Sequence, residues 1–449
     1  MTIESEPAAV PAPDAGPERI KRRQVLAWGL WDWGSAAHNA VITTFVFGPY
    51  VVQGVVGHAR PGGLSGQTWF GVSGAIAGLA IALIAPVMGQ RADAGGHRRR
   101  SLAIWTGLVV ATMLGLFTIK NEPSYLWAAL ALMGLGSIFA EFAAVSYNAM
   151  LPQVSTPATI GRVSGFGWSM GYFGGIILLL VCYVGFIAPD VGWFGVTHAD
   201  GLAFRTVAVF AAAWFAIFAV PVLIAVPEKP PGPAQRRVGF FASYGLLVGD
   251  IKALYRHEPN SLGFLVASAL YRDGLAAVFT YGAILAVTVY GMASDTVLIF
   301  GIAANVVAAV GALVLGRIED WIGPKRVILI SLGGLIVTAT ILLFAQGVTM
   351  FWIFGLILCL WVGPAQSSSR SFLARLAPVG REGQMFGLYA TTGRAASFLA
   401  PALFALFSGL FSDRAGIVGI ALVLLAGAVV LWFVTPPPHR QPKPADVGV

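Results

Sequence analysis

The stretch Gly89-Gln-Arg-Ala-Asp93-Ala-Gly-Gly96-His-Arg98-Arg99-Arg100 is a short hydrophilic loop that follows a long apolar run. A second loop, Gly316-Arg-Ile-Glu-Asp320-Trp-Ile-Gly323-Pro-Lys325-Arg326, carries glycine, an acid, glycine and bases in the same order. Because the order recurs at two distant places, it indicates that the chain consists of two related halves.

Apolar segments surround both loops and recur almost from end to end of the 449 residues. Hydrophobic residues make up 57% of the chain and charged residues 11%, whereas soluble domains are about one quarter charged. Most of the surface must therefore face lipid, where helices are the usual structure. Since about 20 apolar residues cross a bilayer, we predict an all-α membrane protein with spans near 25–50, 69–90, 101–119, 124–148, 163–188, 203–226, 260–290, 295–316, 325–346, 349–371, 384–409 and 415–435.

Two further pairs of segments repeat in the same order, 140–151 with 365–376 and 161–167 with 380–387. The long hydrophilic interior stretch from Glu228 to about Pro259 separates the two halves. We therefore predict a disordered cytoplasmic tail 1–24, an N-terminal six-helix bundle 25–227, a cytoplasmic linker 228–259, a C-terminal six-helix bundle 260–435 and a cytoplasmic tail 436–449.

The net charge of +8 reflects the placement of 28 Lys and Arg residues. Nearly all of them fall in tails and loops on the side of the N-terminus, and the loops on the other side hold only Arg60, Lys120, Arg205 and Arg414. By the positive-inside rule both termini are cytoplasmic, and we expect the protein in the cell membrane. This placement explains the charge without a nucleic-acid partner. Cys182 and Cys359 fall in spans of opposite halves, so we expect neither a disulfide nor a thiolate metal site.

Several motifs, taken in order, resemble the vacuole-effluxer (autophagy-related amino-acid exporter) family and its bacterial relatives within the major facilitator superfamily. They are Trp31-Asp32-Trp33-Gly34-Ser35-Ala36, Phe47-Gly48-Pro49-Tyr50, Gly161-Arg162-Val-Ser-Gly165-Phe-Gly-Trp168, Tyr271-Arg-Asp273-Gly274, Ser369-Arg370-Ser371 and Gly380-Arg381-Glu382, together with the Gly89 to Arg100 loop. The resemblance implies twelve helices in two pseudo-symmetric bundles, alternating access to a central cavity lined by the first, fourth, seventh and tenth helices, and export of amino acids or similar small solutes.

Ionisable and polar side chains inside the spans are the candidate site residues, because a buried charge in lipid usually lines a cavity or meets a partner. We predict substrate contacts from Asp32, Asn39, Glu141, Asn148, Arg272, Asp273, Gln366 and Arg394. Burial can raise a carboxylate pKa, so we predict proton coupling at Asp32, Glu141 or Asp273. Arg272 or Arg394 would meet an anionic substrate group, or Glu141 or Asp32 when the site is empty. Structural ion pairs or bonds that merely join helices would explain the same residues.

The two repeated loops predict a gate. Asp93 and Asp320 can accept hydrogen bonds from the exposed amides at the N-terminus of a helix in the opposite half. By family resemblance, these contacts hold one conformation closed on the cytoplasmic side. The predicted gating residues are Gly89, Asp93, Gly96, Arg98, Asp320 and Arg326. The alternative is that the loops set membrane topology only.

Other functional classes find little support in the sequence. There is no Walker loop and no His-Glu-x-x-His, and the match Gly167-Trp-Ser169-Met-Gly171 to a hydrolase motif lies inside an apolar span. We expect no enzyme activity, cofactor or metal; the predicted partners of this monomer are a small-molecule substrate, protons and membrane lipids. A transporter-like substrate sensor without flux, or an exporter of drugs or lipids, remains the alternative.

Overall fold

The computed structural model describes residues 20–228 and 240–436. Within them, twelve helices are long and apolar enough to cross a membrane, in agreement with the twelve predicted spans. In chain order, α1 to α12 are Arg22–Val56, Gly66–Gly95, Arg98–Thr118, Pro123–Ala149, Ile160–Ile187, Ala199–Ala225, Pro259–Thr288, Ile299–Ile322, Pro324–Phe344, Gly347–Leu376, Glu382–Leu410 and Asp413–Phe433. The predicted tails before residue 20 and after residue 436, and residues 229–239 of the predicted linker, lie outside the described residues.

The described part of the predicted linker contains a helix of 18 residues, Phe240–His257. This linker helix lies against α2, where the Tyr244 hydroxyl donates a hydrogen bond to the carbonyl oxygen of Leu83 at 3.2 Å. Leu247 is buried while Leu246 and Val248 are exposed. The linker is therefore partly structured and contacts both α2 of the N-terminal half and α7 of the C-terminal half.

Helices α1–α6 form one bundle and α7–α12 form a second bundle of the same design. In the first bundle α1 packs on α5 and α6, and in the second α7 packs on α11 and α12. Equivalent glycines permit this packing: a Cβ atom on Gly34 would lie 3.0 Å from Cβ of Phe218 in α6, and one on Gly274 would lie 2.7 Å from Cδ2 of Leu424 in α12. The two halves are thus pseudo-symmetric in structure as well as in sequence.

The two bundles converge at one face of the membrane. Because twelve spans return the chain to its starting side, both described ends lie at this face, which we call the terminal face. Here α2 meets α11 and α5 meets α8 so closely that a Cβ atom on Gly89 would collide with the carbonyl oxygen of Gly383, and one on Gly165 with that of Ala312. Nearer the other face, a Cβ atom on Gly71 or Gly74 of α2 would meet no described atom within 4 Å. From this contrast we infer a cleft between the halves that opens away from the terminal face.

Two helices that border the cleft are irregular in mid-membrane. Residues Ala37–Phe45 of α1 form a π-helix, and α11 consists of two segments, Glu382–Ala396 and Leu399–Leu410. Asp273 in α7 is buried, and its Oδ2 accepts a hydrogen bond from the backbone N–H of Ala400 at 2.6 Å. Because amides at a helix start inside a membrane need an acceptor, Asp273 satisfies the start of the second segment of α11.

Candidate functional site

Asp32 in α1 and Arg370 in α10 form an ion pair between the bundles. Asp32 Oδ2 accepts hydrogen bonds from Arg370 Nη1 at 3.0 Å and from the Tyr147 hydroxyl at 2.9 Å. Arg370 also donates to Oγ of Ser164 at 3.0 Å, to its carbonyl oxygen at 2.6 Å, and to Oδ1 of Asn148 at 3.3 Å. One side chain of the second bundle is thereby bound to α1, α4 and α5 of the first.

Aromatic rings complete the surroundings of Arg370. Its guanidinium carbon lies 4.8 Å from the ring centroid of Trp28, 5.6 Å from that of Trp168 and 5.7 Å from that of Tyr147. The side chains of Arg370 and Asp32 are only 5% and 17% exposed. Cation–π contacts and charge-assisted hydrogen bonds offset the removal of both charges from water. The bundles cannot separate at this level unless Arg370 leaves these contacts.

A second ion pair joins the bundles in a more open position. Arg394 Nη2 in α11 donates to Glu141 Oε2 in α4 at 2.9 Å, and the two side chains are 42% and 23% exposed. Nearby in the interface, the Tyr172 hydroxyl of α5 donates to Oε1 of Gln366 in α10 at 2.8 Å. Asn39 is exposed within α1. The interface thus changes from buried contacts around Arg370 to more exposed polar contacts farther from the terminal face.

Arg272 and Asp273 are adjacent in α7 but make separate contacts. Asp273 binds the start of the second segment of α11, as described above. The guanidinium carbon of Arg272 lies 3.8 Å from the ring centroid of Tyr389 in α11, and Nη1 donates to the Tyr389 carbonyl oxygen at 3.0 Å. The two side chains do not pair with each other, as expected for neighbours on a helix.

At the terminal face, Asp93 of the first bundle contacts the second. Its Oδ1 accepts from the backbone N–H of Gly383 at 3.0 Å and its Oδ2 from that of Gln384 at 2.8 Å, at the start of α11. Arg98 forms ion pairs with Asp93 at 2.8 Å and with Glu382. These contacts have the geometry expected from the sequence, a loop acid bound to the N-terminus of a helix in the other half.

Asp320 repeats the arrangement in the opposite direction. Its Oδ1 accepts from the N–H of Gly161 at 2.9 Å and its Oδ2 from that of Arg162 at 3.3 Å, at the start of α5. The remaining predicted gating residues are less directly involved. Gly96 ends α2 with a φ of 63°, a conformation that glycine adopts without strain, and Arg326 is exposed.

One part of this interface does not follow from the sequence. The sequence marks Arg370 only as part of the motif Ser369-Arg370-Ser371, and the structure places this arginine, rather than Arg272 or Arg394, beside Asp32. Trp31-Asp32-Trp33-Gly34 in α1 aligns with Tyr271-Arg272-Asp273-Gly274 in α7, which makes Asp32 and Arg272 equivalent positions and not partners. Among the described residues, no group of three or more His, Cys, Asp or Glu side chains could hold a metal ion.

Solved structures share this architecture. The proton:xylose symporter XylE of the major facilitator superfamily superposes with a TM-score of 0.70 at 16% identity, covering 93% of this chain and 97% of that one. Two pseudo-symmetric six-helix bundles that meet around a polar cleft define a membrane protein of the major facilitator fold.

The sequence matches the family described as vacuole effluxer Atg22 like over residues 70–440, and the chain belongs to that family of transporters. An MFS-type transporter of Bacillus subtilis, YxiO, is 25% identical over 420 residues, which are 92% of this chain and 95% of that protein. Autophagy-related protein 22 of Cryptococcus neoformans is 28% identical over 296 residues, which are 61% of this chain but only 52% of the fungal protein. The chain thus spans nearly all of the bacterial relative and about half of the fungal one. The chain is therefore a transporter and not an enzyme.

Proposed function

We propose that this protein is a secondary active transporter that exports a small solute across the cell membrane by alternating access, coupled to protons. Amino acids are the first candidates, because the motifs of the chain resemble those of autophagy-related amino-acid exporters and the matching family is described as vacuole effluxers. One observation carries the mechanism: described contacts join the bundles tightly at the terminal face, while nearer the other face Gly71 and Gly74 of α2 have open space beside them. A cleft of this kind admits a solute from one side only.

The contacts between the halves support rocking between two states. The Asp93 and Asp320 contacts and the Asp32–Arg370 pair all cross from one bundle to the other. Each must break for the terminal face to open, and each consists of polar groups that water can satisfy once they separate. They therefore stabilise one conformation without holding it permanently.

The solute site of the proposal lies above the Asp32–Arg370 pair. Glu141 and Gln366 are partly exposed, and Arg394 and Asn39 are exposed. Glu141, Arg394 and Gln366 already contact side chains of the opposite bundle. A solute bound there would touch both halves, so its binding energy would differ between the two states. Such a difference is required for a ligand to shift a conformational equilibrium.

Of the three carboxylates expected to carry protons, Glu141 has the most suitable surroundings. It is partly exposed toward the cleft and pairs with Arg394 across the interface. A proton on Glu141 would remove the attraction to Arg394 and free that arginine. Asp32 is held by Arg370 and Tyr147, and the described Oδ2 contact of Asp273 is to a backbone amide. We therefore assign coupling to Glu141.

The terminal face is cytoplasmic in this proposal, because Lys and Arg concentrate on that side. The cleft then opens outward. We propose a monomer, since the contacts that close the terminal face join two halves of one chain. Asp93, Arg98 and Asp320 form the gate, and Gly89 and Gly96 allow the close approach and turn that the gate needs.

The test begins with solutes that accumulate in cells lacking the gene compared with cells that carry it. The leading compound is then measured in proteoliposomes with and without a pH gradient. Flux that rises with the gradient supports proton-coupled transport. Flux that does not depend on the gradient would contradict proton coupling. Binding of the compound without any flux would favour a substrate sensor instead.

A further inference from the structure

Equivalent positions in the two bundles carry opposite charges. Asp32 in α1 and Arg272 in α7 align within the repeated motif, and each precedes by two residues the glycine that packs on α6 or α12. Asp32 has a cationic partner, Arg370, and a second donor, Tyr147. Arg272 occupies the corresponding place in the second bundle.

Arg272 has no anionic partner among the described residues, in contrast to the other arginines of the interface. Arg370 pairs with Asp32 and Arg394 with Glu141, whereas the single hydrogen bond of Arg272 to a described residue goes to the Tyr389 carbonyl oxygen. The neighbouring acid, Asp273, does not pair with Arg272, and its Oδ2 accepts from the backbone N–H of Ala400. A partly exposed guanidinium with one neutral acceptor keeps several N–H donors available.

The position of Arg272 is fixed by contacts that leave those donors free. The Tyr389 ring covers one face of the guanidinium at 3.8 Å. A Cβ atom on Gly393 would lie 2.9 Å from Arg272 Nη1, so the arginine rests directly on α11 one residue before Arg394. A planar guanidinium held on one face presents its N–H edge, the geometry that binds a carboxylate through two parallel hydrogen bonds.

We propose that Arg272 binds the carboxylate of the transported solute, which makes it the residue that selects carboxylate-bearing substrates. The inference rests on the proposed function, since it assigns a substrate class to the same cleft. A solute carboxylate would give Arg272 the anionic partner that Asp32 finds in Arg370. The competing explanation is that Arg272 only fastens α7 to α11 through Tyr389.

The experiment measures uptake into proteoliposomes of two matched pairs of radiolabelled probes: leucine with leucinamide, and 3-phenylpropionate with 3-phenylpropionamide. Within each pair, the second compound carries an uncharged amide in place of the carboxylate. The variants are Arg272→Gln and Arg272→Lys, with Arg205→Gln as a matched control. Arg205 also lies over a ring, that of Phe117 at 4.7 Å, and donates to the Phe117 carbonyl oxygen. It is partly exposed like Arg272 but belongs to α6 of the first bundle.

We expect the wild type to carry a carboxylate and to discriminate against its amide. Arg272→Gln should raise KM for the carboxylate about tenfold or more, because a charge-assisted pair is lost, with a smaller change in the maximal rate. Arg272→Lys keeps the positive charge but lacks the planar guanidinium. Its KM for the carboxylate should lie between those of the wild type and Arg272→Gln. Arg205→Gln should behave as wild type. Thermal unfolding of each variant without ligand shows whether it is folded. If Arg272→Gln does not fold, Arg272→Lys still tests the inference.

Four outcomes would overturn the inference. Equal transport of carboxylates and amides by the wild type, or unchanged discrimination in folded Arg272→Gln, would leave Arg272 as a helix contact only while transport itself stands. Equal losses in Arg272→Gln and Arg205→Gln would show a general effect on the fold. Failure of the wild type to move any probe, or any solute identified from cells, would remove the proposed function and this inference with it.

Discussion

Asp93 and Asp320 make the same contact in opposite directions across the interface. Asp93 binds the backbone N–H groups of Gly383 and Gln384 at the start of α11, and Asp320 binds those of Gly161 and Arg162 at the start of α5. Each carboxylate satisfies amides that would otherwise lack an acceptor at the positive end of a helix. The closed terminal face is thus held by two symmetric helix caps.

The first prediction concerns these caps. Asp93→Ala should stabilise the state with an open terminal face by about 1 kcal/mol, roughly fivefold in population, because a helix cap is lost only in the closed state. The readout is the distance between spin labels at Arg91→Cys and Val379→Cys, which lie in opposite halves and are exposed. Cys182 and Cys359 are buried and should label poorly. An unchanged distance distribution would exclude a gating role for Asp93.

The second prediction uses steric bulk instead of charge. Gly89→Ala should hinder closure of the terminal face, since the new Cβ would collide with the Gly383 carbonyl oxygen. Gly71→Ala in the same helix is the matched control, because its Cβ would meet no described atom within 4 Å. With the same spin-label pair, the population with the longer distance between the labels, which corresponds to an open terminal face, should be larger in Gly89→Ala than in Gly71→Ala. Identical distributions in the two variants would contradict the close approach.

The third prediction addresses the Asp32–Arg370 pair. Asp32→Asn should lower stability by about 3 kcal/mol or more, because it leaves the buried Arg370 without its charged partner. The double variant Asp32→Asn, Arg370→Gln should lose less than the sum of the two single variants, since neither charge is then left alone. Unfolding of purified protein in detergent, measured for all four proteins, gives the coupling. Additive losses would mean that the two groups do not interact in solution.

The fourth prediction separates proton coupling from transport. Glu141→Gln should retain exchange of labelled for unlabelled solute but lose acceleration by a pH gradient, because the side chain can no longer bind and release a proton. Arg394→Gln should abolish flux while expression stays normal. Asp273→Asn is the control: its amide oxygen can still accept from Ala400, so dependence on the gradient should persist. A gradient response that survives in Glu141→Gln and disappears in Asp273→Asn would transfer the coupling role to Asp273.

Much of the fold could be predicted because membrane spans follow from local composition. A run of about 20 apolar residues has few alternatives in lipid, and the Gly89 and Gly316 loops marked the repeat. The helix-start contacts of Asp93 and Asp320 were also accessible, since an acid in a short loop and a glycine-rich helix start are both visible in the sequence. The choice of ion-pair partners could not be predicted from the sequence. Arg370 reaches Asp32 through a contact between residues 338 positions apart, and nothing local distinguishes it from Arg272 or Arg394.

The break in α11 had one local signal in the sequence and one cause that is not local. Residues 396–399 are Ala-Ser-Phe-Leu, and Pro401 follows in the first turn of the second segment, where its missing N–H and its ring disfavour an uninterrupted helix. The acceptor for the new helix start comes from Asp273 of another helix, a contact that the local sequence does not show. The sequence predicts that Asp273 contacts substrate or carries protons, because an acid in a span is usually functional. In the structure its Oδ2 accepts a hydrogen bond from the backbone of α11.

The opposite charges of Asp32 and Arg272 also bear on how such a chain could arise. If two identical six-helix units formed the same pair of bundles, both positions would hold the same residue, either two acids or two bases facing one narrow aqueous space. Like charges there would repel and would offer a solute the same partner on each side. Fusion of the two units into a single polypeptide lifts that restriction, because each copy can then mutate alone. The single chain can therefore present a polarised passage that no symmetric dimer of its halves could form.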